Sequence, residues 1–202
     1  MSQTPLERLR AATRKRESLR KTWDATRNLD LLNLLHVSIP VMFSCERFGL
    51  FVQDLYNSSL WIETGTGVTE RSIVVTSAGS MLGEAINNRT PIQRENLSDD
   101  SGVHQIIGDE QGFIPNNALT VPIFSAKDGH AIGAIQVLNK SDGESWSEGD
   151  AVRLQQVAHS ISGSVAMMQE GQHLLTKAKS LDSKIAQLNK MESAIRGSHM
   201  LR

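Results

Sequence analysis

The spacing of apolar residues changes twice along this chain, from a helical period to strand-like alternation and back. Residues 29–43 place apolar side chains three or four positions apart, which predicts a buried helical face with a kink or break at Pro40. Beyond residue 147 the helical period returns. Between these helices, short runs rich in β-branched and aromatic residues predict strands at 48–53, 60–63, 71–75, 118–124 and 131–138.

The segment between the third and fourth of these strands predicts a short helix and loops instead of further strands. Residues 77–88 predict a short helix that is capped by Ser77 or Ser80. The polar, glycine-bearing stretch that follows, up to residue 117, predicts loops. The Asp-Gly pair at 128–129 predicts a tight hairpin between the last two strands, because such a turn needs positive φ angles.

This order of elements predicts an α+β fold with a single antiparallel sheet of about six strands. We expect the terminal helices to cover one face of the sheet, and the helical and loop-rich insertion at 77–117 to cover the other. A sheet face closed by a polar, glycine-bearing segment is a natural small-molecule pocket. The sequence therefore predicts a ligand site between the sheet and the insertion.

The two ends of the chain predict helices outside this core, which we expect over residues 29–170. Residues 1–28 predict a basic, mostly solvated helix. Residues 171–196 carry apolar residues at heptad positions, so a coiled coil with a second copy of the chain is predicted, and folding back onto its own domain is the alternative. Residues 197–202 match a vector-derived tail. The heptad seam consists of Leu174, Ala178, Leu181, Ile185, Leu188 and Ile195.

Composition narrows the function classes. A net charge of −1 over 202 residues disfavours a globally basic nucleic-acid-binding protein, and no apolar stretch predicts a membrane span or a secretory signal. The single cysteine, Cys45, excludes an intrachain disulfide, and the histidines lack metal-ligand spacing. No local motif combines a nucleophile, a base and an orienting group. The expectation is a cytoplasmic protein that is not an enzyme and binds no metal, nucleic acid or membrane.

Four segments carry a family resemblance. Residues 45–52 read Cys-Glu-Arg-Phe-Gly-Leu-Phe-Val, residues 79–85 read Gly-Ser-Met-Leu-Gly-Glu-Ala, and residues 119–123 read Leu-Thr-Val-Pro-Ile. The strongest match is residues 132–140, which end in an Asn-Lys pair. In this order they resemble GAF domains of the cyclic-nucleotide phosphodiesterase and adenylyl cyclase type, over about residues 29–170.

The resemblance implies a GAF fold and a regulatory, non-catalytic domain that binds a cyclic nucleotide or another small molecule under the insertion. It also implies that Lys140 and Asp150 form a salt bridge that holds the pocket closed. The ligand-binding residues that it implies are Glu63, Thr64, Ser80, Met81, Leu82, Asp109, Phe113, Asn116 and Thr120.

The sequence also departs from the family pattern where a purine or cyclic phosphate would bind. Gly49 replaces a serine and Pro115 replaces a threonine. Three hypotheses stay open: a sensor of cAMP or cGMP, a sensor of a different molecule, and a ligand-free dimerisation or protein-interaction module. All three hypotheses expect a homodimer through the terminal helices, and a downstream catalytic domain or signalling partner is a further expectation. An enzyme of the free methionine sulfoxide reductase type is disfavoured, because that chemistry needs several reactive cysteines and the chain has only Cys45.

Overall fold

The computed structural model describes residues 4–97, 113–141 and 144–199. The chain divides into two units: residues 28–169 form one, and the segments before and after them form the other. Four helices and six strands follow one another along the described residues. They are α1 (Pro5–Thr26), α2 (Leu29–Phe43), β1 (Cys45–Gln53), β2 (Ser59–Gly65), β3 (Val74–Thr76), α3 (Met81–Asn88), β4 (Ile92–Arg94), β5 (Ala118–Phe124), β6 (Ala131–Lys140) and α4 (Glu148–His199).

The six strands form one sheet in the order β3-β2-β1-β6-β5-β4, and every neighbouring pair is antiparallel. This confirms the predicted α+β class. The hairpin between β5 and β6 closes as predicted: Gly129 has a φ of +70°, and its N–H donates to the Ser125 carbonyl at 2.9 Å. Strand β4 was not predicted, because its three residues are too short for an alternating pattern to register.

Alternation along β1 separates the two faces of the sheet. Phe51 packs with Leu82 and Ile86 of α3, and we call this side the α3 face. Phe48, three positions away, points to the opposite side, where the His36 ring of α2 lies 6.0 Å from its ring centroid. The sheet therefore lies between α3 on one face and α2 on the other.

Helix α2 runs beside the first part of α4 on that opposite face. The Asn28 side chain donates to the Ser164 hydroxyl at 3.3 Å, and the Arg153 guanidinium lies 5.9 Å from the Phe43 ring centroid. The start of α2 is thus near the later residues of α4 and its end near the earlier ones, so the helices are antiparallel. Pro40 does not end α2, which continues to Phe43.

Local chemistry sets the limits of α3. The Ser80 hydroxyl accepts a hydrogen bond from the Gly83 N–H at 3.1 Å, so Ser80 is the one of the two predicted caps that the helix uses. The helix therefore begins at residue 81, four residues after the start of the predicted segment. Arg89 adopts a left-handed conformation and ends it. The absence of a side chain at Gly83 lets the backbone of Ser77 lie close against α3, because a Cβ at residue 83 would be 1.8 Å from the Ser77 carbonyl oxygen.

The second unit pairs α1 with the last part of α4. Trp23 lies against Gly171, and the Arg16 guanidinium contacts the Asp182 carboxylate at 3.2 Å, so the two helices run antiparallel. Ala178 of the predicted heptad seam is buried here. Part of that seam is therefore covered within one chain, while its other described members from Leu174 to Leu188 are half-buried.

Candidate functional site

A buried amide and a buried hydroxyl meet in the middle of the α3 face. Gln136 on β6 and Thr120 on β5 are paired across the sheet, and the Gln136 amide donates to the Thr120 Oγ1 at 2.8 Å. Gln136 is 3% exposed and Thr120 0%. Within the described residues, the Gln136 carbonyl oxygen accepts no hydrogen bond and the Thr120 hydroxyl donates none, so one acceptor and one donor remain for a ligand.

Apolar residues of α3 surround this pair. The Met81 sulfur lies 3.8 Å from the Gln136 amide nitrogen, and Met81 packs with Leu97 and Ala118. Leu82 packs toward the β1–β2 side of the same face. The structure therefore brings three of the predicted site residues, Thr120, Met81 and Leu82, to one surface.

A cation and an aromatic ring lie at one edge of this surface. The Arg47 guanidinium is 4.1 Å from the centroid of the Phe113 ring. Arg47 pairs with Leu138, the position two residues after Gln136 on β6, so it lies on the same face as Gln136. Predicted residue Phe113 is thus positioned by a residue that was not predicted.

Asn139 fixes the segment that leads into β5. Its Oδ1 accepts from the Asn116 N–H at 2.7 Å, and its Nδ2 donates to the Ile114 carbonyl at 2.8 Å and to the Glu46 carboxylate at 2.9 Å. Asn139 adopts a left-handed backbone with a φ of +53°. Predicted residue Asn116 is exposed and is held through its backbone, which also accepts from the Leu97 N–H at 2.8 Å.

A β-bulge in β2 turns the predicted site residue Thr64 away from the α3 face. Phe51 of β1 pairs with Ile62, but the preceding Leu50 pairs with Thr64, so Glu63 is an extra residue in β2. Thr64 therefore shares the side of Leu50, away from the α3 face.

Glu63 also faces away from the site. Its carboxylate accepts a hydrogen bond from the indole N–H of Trp61 at 3.0 Å, and both side chains are buried. Leu60 and Ile62, which alternate with Trp61 along the strand, pack with Leu82 on the α3 face. The structure thus separates Glu63 and Thr64 from Thr120 and Met81.

Ser80 and Asp109 complete the predicted set. The Ser80 hydroxyl is engaged in capping α3 and also donates to the Ser77 carbonyl at 3.2 Å. In this structure Ser80 therefore serves as the N-cap of α3. Asp109 lies outside the described residues.

The predicted salt bridge is present. Lys140 Nζ and Asp150 Oδ2 are 2.9 Å apart, with side chains 11% and 2% exposed. Burial alone would raise the pKa of Asp150, but hydrogen bonds from Ser147, Lys140 and Arg153 outweigh it and leave that pKa well below its usual range. The Lys140 ammonium also lies 5.7 Å from the ring centroid of Trp146.

The described part of the chain lacks the features of a metal site, of a membrane-spanning helix and of a reactive thiol. No group of His, Cys, Asp and Glu there could hold a metal ion. None of its helices combines the length and apolar character needed to cross a membrane. Cys45 is buried, and this burial raises the pKa of its thiol to about 12, which suppresses the reactive thiolate.

Comparison with known proteins identifies the family. A sequence profile described as the GAF domain matches residues 29–165. The chain belongs to the GAF domain family. GAF domains are regulatory sensor domains in kinases and other proteins. None of the curated protein sequences matches this GAF protein significantly.

Solved structures share the fold of this GAF domain at low sequence identity. The GAF domain of a phosphoenolpyruvate-protein phosphotransferase from Coxiella burnetii is 14% identical, with a TM-score of 0.60 over 82% of this chain and 98% of that chain. A type II free methionine-R-sulfoxide reductase from Thermoplasma acidophilum is 13% identical, with a TM-score of 0.56 over 71% and 94%. The GAF domain of a sensor histidine kinase from Bacillus halodurans is 17% identical, with a TM-score of 0.51 over 69% and 94%. At these identities the likeness shows the fold alone.

Sequence reasoning missed three residues of this GAF domain that the structure brings to the site, Arg47, Gln136 and Asn139. Gln136 and Asn139 both lie in the segment that matched the family most closely, but neither was predicted as a contact. A polar residue at the centre of a strand of apolar residues was the available signal for Gln136, since buried polar groups need partners.

Proposed function

We propose that this GAF domain is a regulatory sensor that binds a small molecule on its α3 face, without catalysing a reaction. The observation that carries the proposal is the buried pair of Gln136 and Thr120, which retains one unused acceptor and one unused donor. A ligand with a donor for the Gln136 carbonyl oxygen and an acceptor for the Thr120 hydroxyl would hydrogen-bond to both groups. This favours a ligand-binding role for the α3 face over a role in core packing alone.

The chemistry of the pair favours a planar ligand with an N–H donor beside an acceptor. An amide or nucleobase edge has this arrangement, and Arg47 at the edge of the surface would attract an anionic group. A cyclic nucleotide, cAMP or cGMP, has both parts and is the first candidate, and free nucleobases and amino acids follow. We place the sensor in the cytoplasm, with a downstream catalytic domain or signalling partner as its output.

The Lys140–Asp150 pair has a supporting role in this proposal. It joins the end of β6, which carries Gln136 four residues earlier, to the start of α4. We propose that the pair holds the binding surface in its closed arrangement.

A thermal-shift screen of the full chain with cAMP, cGMP, nucleobases and amino acids tests the proposal. A specific ligand at one hundred times its dissociation constant stabilises the fold by about 2.7 kcal/mol. Thr120→Val combined with Gln136→Leu should abolish that shift, while Thr76→Val on exposed β3 should retain it. Mass spectrometry of small molecules that co-purify with the protein extends the search. No shift with any compound and no co-purified molecule would overturn the sensor proposal.

The alternative is a ligand-free dimerisation or protein-interaction module. The half-buried seam residues Leu181 and Leu188 favour it, because they leave apolar surface for a further helix. Sedimentation of the double variant Leu181→Asp with Leu188→Asp tests it. Conversion of a dimer to a monomer supports association through the terminal helices, and a dimer that persists excludes that seam.

A further inference from the structure

The second unit, formed by α1 and the last part of α4, has a charge opposite to that of the unit formed by residues 28–169. Residues 1–27 and 170–196 contain 13 Lys and Arg but six Asp and Glu, which gives a net charge of +7. Residues 28–169 contain seven Lys and Arg but 16 Asp and Glu, which gives −9. With Arg202 of the terminal tail these add to the net charge of −1, so the charge of the whole chain conceals a strong separation.

Most of the positive charge of the second unit is not neutralised within the unit. Arg16 and Arg20 contact the Asp182 carboxylate at 3.2 Å and 3.7 Å. Eight other basic residues are exposed and form no ion pair with any residue that the structure describes. They are Arg8, Arg14, Lys15, Lys21, Lys177, Lys179, Lys184 and Lys190.

These eight residues recur at regular intervals along the two helices. Three pairs are separated by seven positions: Arg8 with Lys15, Arg14 with Lys21, and Lys177 with Lys184. Seven residues make two turns of an α-helix, so the members of each pair lie on one side of their helix, about 10 Å apart along its axis. The second unit therefore presents rows of positive charge on both of its helices.

The exposed sides of these helices offer few apolar anchors. Leu6 and Met191, at 39% and 50% exposure, are the exposed large apolar residues among the side chains described in this unit. Protein interfaces are held mainly by buried aromatic and apolar anchors, and interfacial membrane helices by inserted Trp, Phe and Leu. A basic surface without such anchors fits a partner that is attracted by charge alone.

We propose that the second unit binds the phosphate backbone of double-stranded nucleic acid without reading its sequence. A duplex carries one negative charge for about every 1.7 Å of its axis, and Lys and Arg that contact phosphates release its condensed counterions. Affinity then needs no apolar contact. Arg also bonds phosphate oxygens through two N–H groups at once, and α1 contains more Arg than Lys.

Two other polyanions are less suited to this surface. Single-stranded nucleic acid is bound by stacking its bases on aromatic rings, and Trp23, the one Phe, Trp or Tyr in residues 1–27 and 170–196, is buried. Stable attachment to a membrane combines a basic patch with an inserted apolar group, which the exposed sides of these helices hardly supply.

This surface is separate from the proposed ligand site. None of the eight residues belongs to the α3 face, and binding of a duplex requires no small molecule. The ligand screen and the nucleic-acid experiment can therefore fail independently.

Fluorescence anisotropy of a short labelled DNA duplex, titrated with the full chain, is the primary test. Binding should be measurable at 50 mM salt and should weaken about 100-fold between 50 mM and 200 mM salt, as expected for about four phosphate contacts. Two duplexes of unrelated sequence should bind equally, because phosphate contacts carry no sequence information. No binding at 50 mM salt, an affinity that does not change with salt, or strong preference for one sequence would each overturn the proposal.

A charge-neutralising variant tests the assignment to these residues. The quadruple variant Arg14→Gln, Lys21→Gln, Lys177→Gln, Lys184→Gln should lose at least about 10-fold in affinity at 50 mM salt and show a shallower salt dependence. The matched control is Arg14→Lys, Lys21→Arg, Lys177→Arg, Lys184→Arg, which keeps every positive charge and should bind within about three-fold of wild type. Circular dichroism verifies that both variants keep their helix content and Tm. A glutamine variant that binds like wild type, or a control that loses as much affinity, would contradict the proposal.

Competition with other polyanions identifies the partner class. Vesicles of phosphatidylserine with phosphatidylcholine and the acidic polypeptide polyglutamate are compared with the duplex at the same salt and the same concentration of negative charge. The duplex should bind most tightly. Tighter binding to the vesicles or to polyglutamate would assign the surface to a membrane or to an acidic protein and overturn the proposal.

Discussion

The ammonium of Lys140 lies 2.9 Å from the carboxylate of Asp150, across the turn that joins β6 to α4. The same carboxylate accepts hydrogen bonds from the Ser147 N–H at 2.9 Å and from the Ser147 hydroxyl at 2.7 Å, and it also contacts Arg153. Ser147 and Asp150 thus form a reciprocal cap at the start of α4, since the Ser147 hydroxyl accepts from the Asp150 N–H at 3.1 Å. Asp150 also neutralises a largely buried cation at the end of β6, one of the two central strands.

Replacing Asp150 with Asn should destabilise the fold by about 3–5 kcal/mol, because Lys140 would keep a buried charge without its counterion. Urea unfolding followed by circular dichroism measures this. Asp182→Asn is the matched control, since Asp182 pairs with Arg16 at a partly exposed site and its loss should cost at most about 1 kcal/mol. Equal losses in the two variants would contradict the importance of burial at Asp150.

The low pKa of Asp150 also predicts how stability changes with pH. Asp in the unfolded chain has a pKa near 4, whereas the pKa of Asp150 in the folded protein is lower. Below about pH 4 the unfolded state therefore binds a proton at this residue that the folded state does not bind. The contribution of Asp150 is therefore present above about pH 4 and is lost as pH falls toward the folded pKa. The difference in unfolding free energy between wild type and Asp150→Asn should be constant above about pH 5 and shrink as the pH falls below about 4. A difference that stays constant below pH 4 would contradict this.

Asn139 combines a left-handed backbone with a side chain that bonds the segment before β5. Asn139→Gly keeps the conformation and removes the side-chain hydrogen bonds, whereas Asn139→Ala also strains the backbone. We expect Ala to be less stable than Gly by about 1 kcal/mol, with both below wild type. Thermal unfolding of the three proteins gives the order, and an alanine variant as stable as wild type would contradict both effects.

Gly83→Ala should destabilise the protein by several kcal/mol, because the new Cβ would meet the Ser77 carbonyl oxygen and carbon, which cannot move independently of the chain. Gly149→Ala, in the first turn of α4, is the control: its Cβ would make only an ordinary contact, and stability should rise by about 0.5–1 kcal/mol. Chemical denaturation of both variants distinguishes the steric effect from the general effect of losing a glycine.

The Cys45 thiol should be inert in the native protein. With a pKa of about 12 it carries almost no thiolate at pH 8, and burial blocks reagents. A disulfide-exchange reagent at pH 8 should label no thiol in native protein and one per chain in guanidinium. Rapid labelling of the folded protein would contradict the buried position of Cys45.

Local patterns were sufficient for much of the fold. Ser80 caps α3, Gly129 turns the hairpin, and the antiparallel sheet follows from short strands with short connections, because caps and turns depend on residues close together in the chain. The Lys140–Asp150 pair was expected from the likeness of residues 132–140 to a family, not from spacing.

Tertiary structure alone decided the rest. Alternation with Ile62 turns Glu63 away from the site, and one extra residue in β2 reverses the side that Thr64 faces, so Thr64 lies away from the site as well. Alternation read from sequence has no marker for such a bulge. The meeting of Gln136 with Thr120 depends on the register between β5 and β6. Local sequence determined what each segment could form, and pairing between distant segments determined which side chains meet.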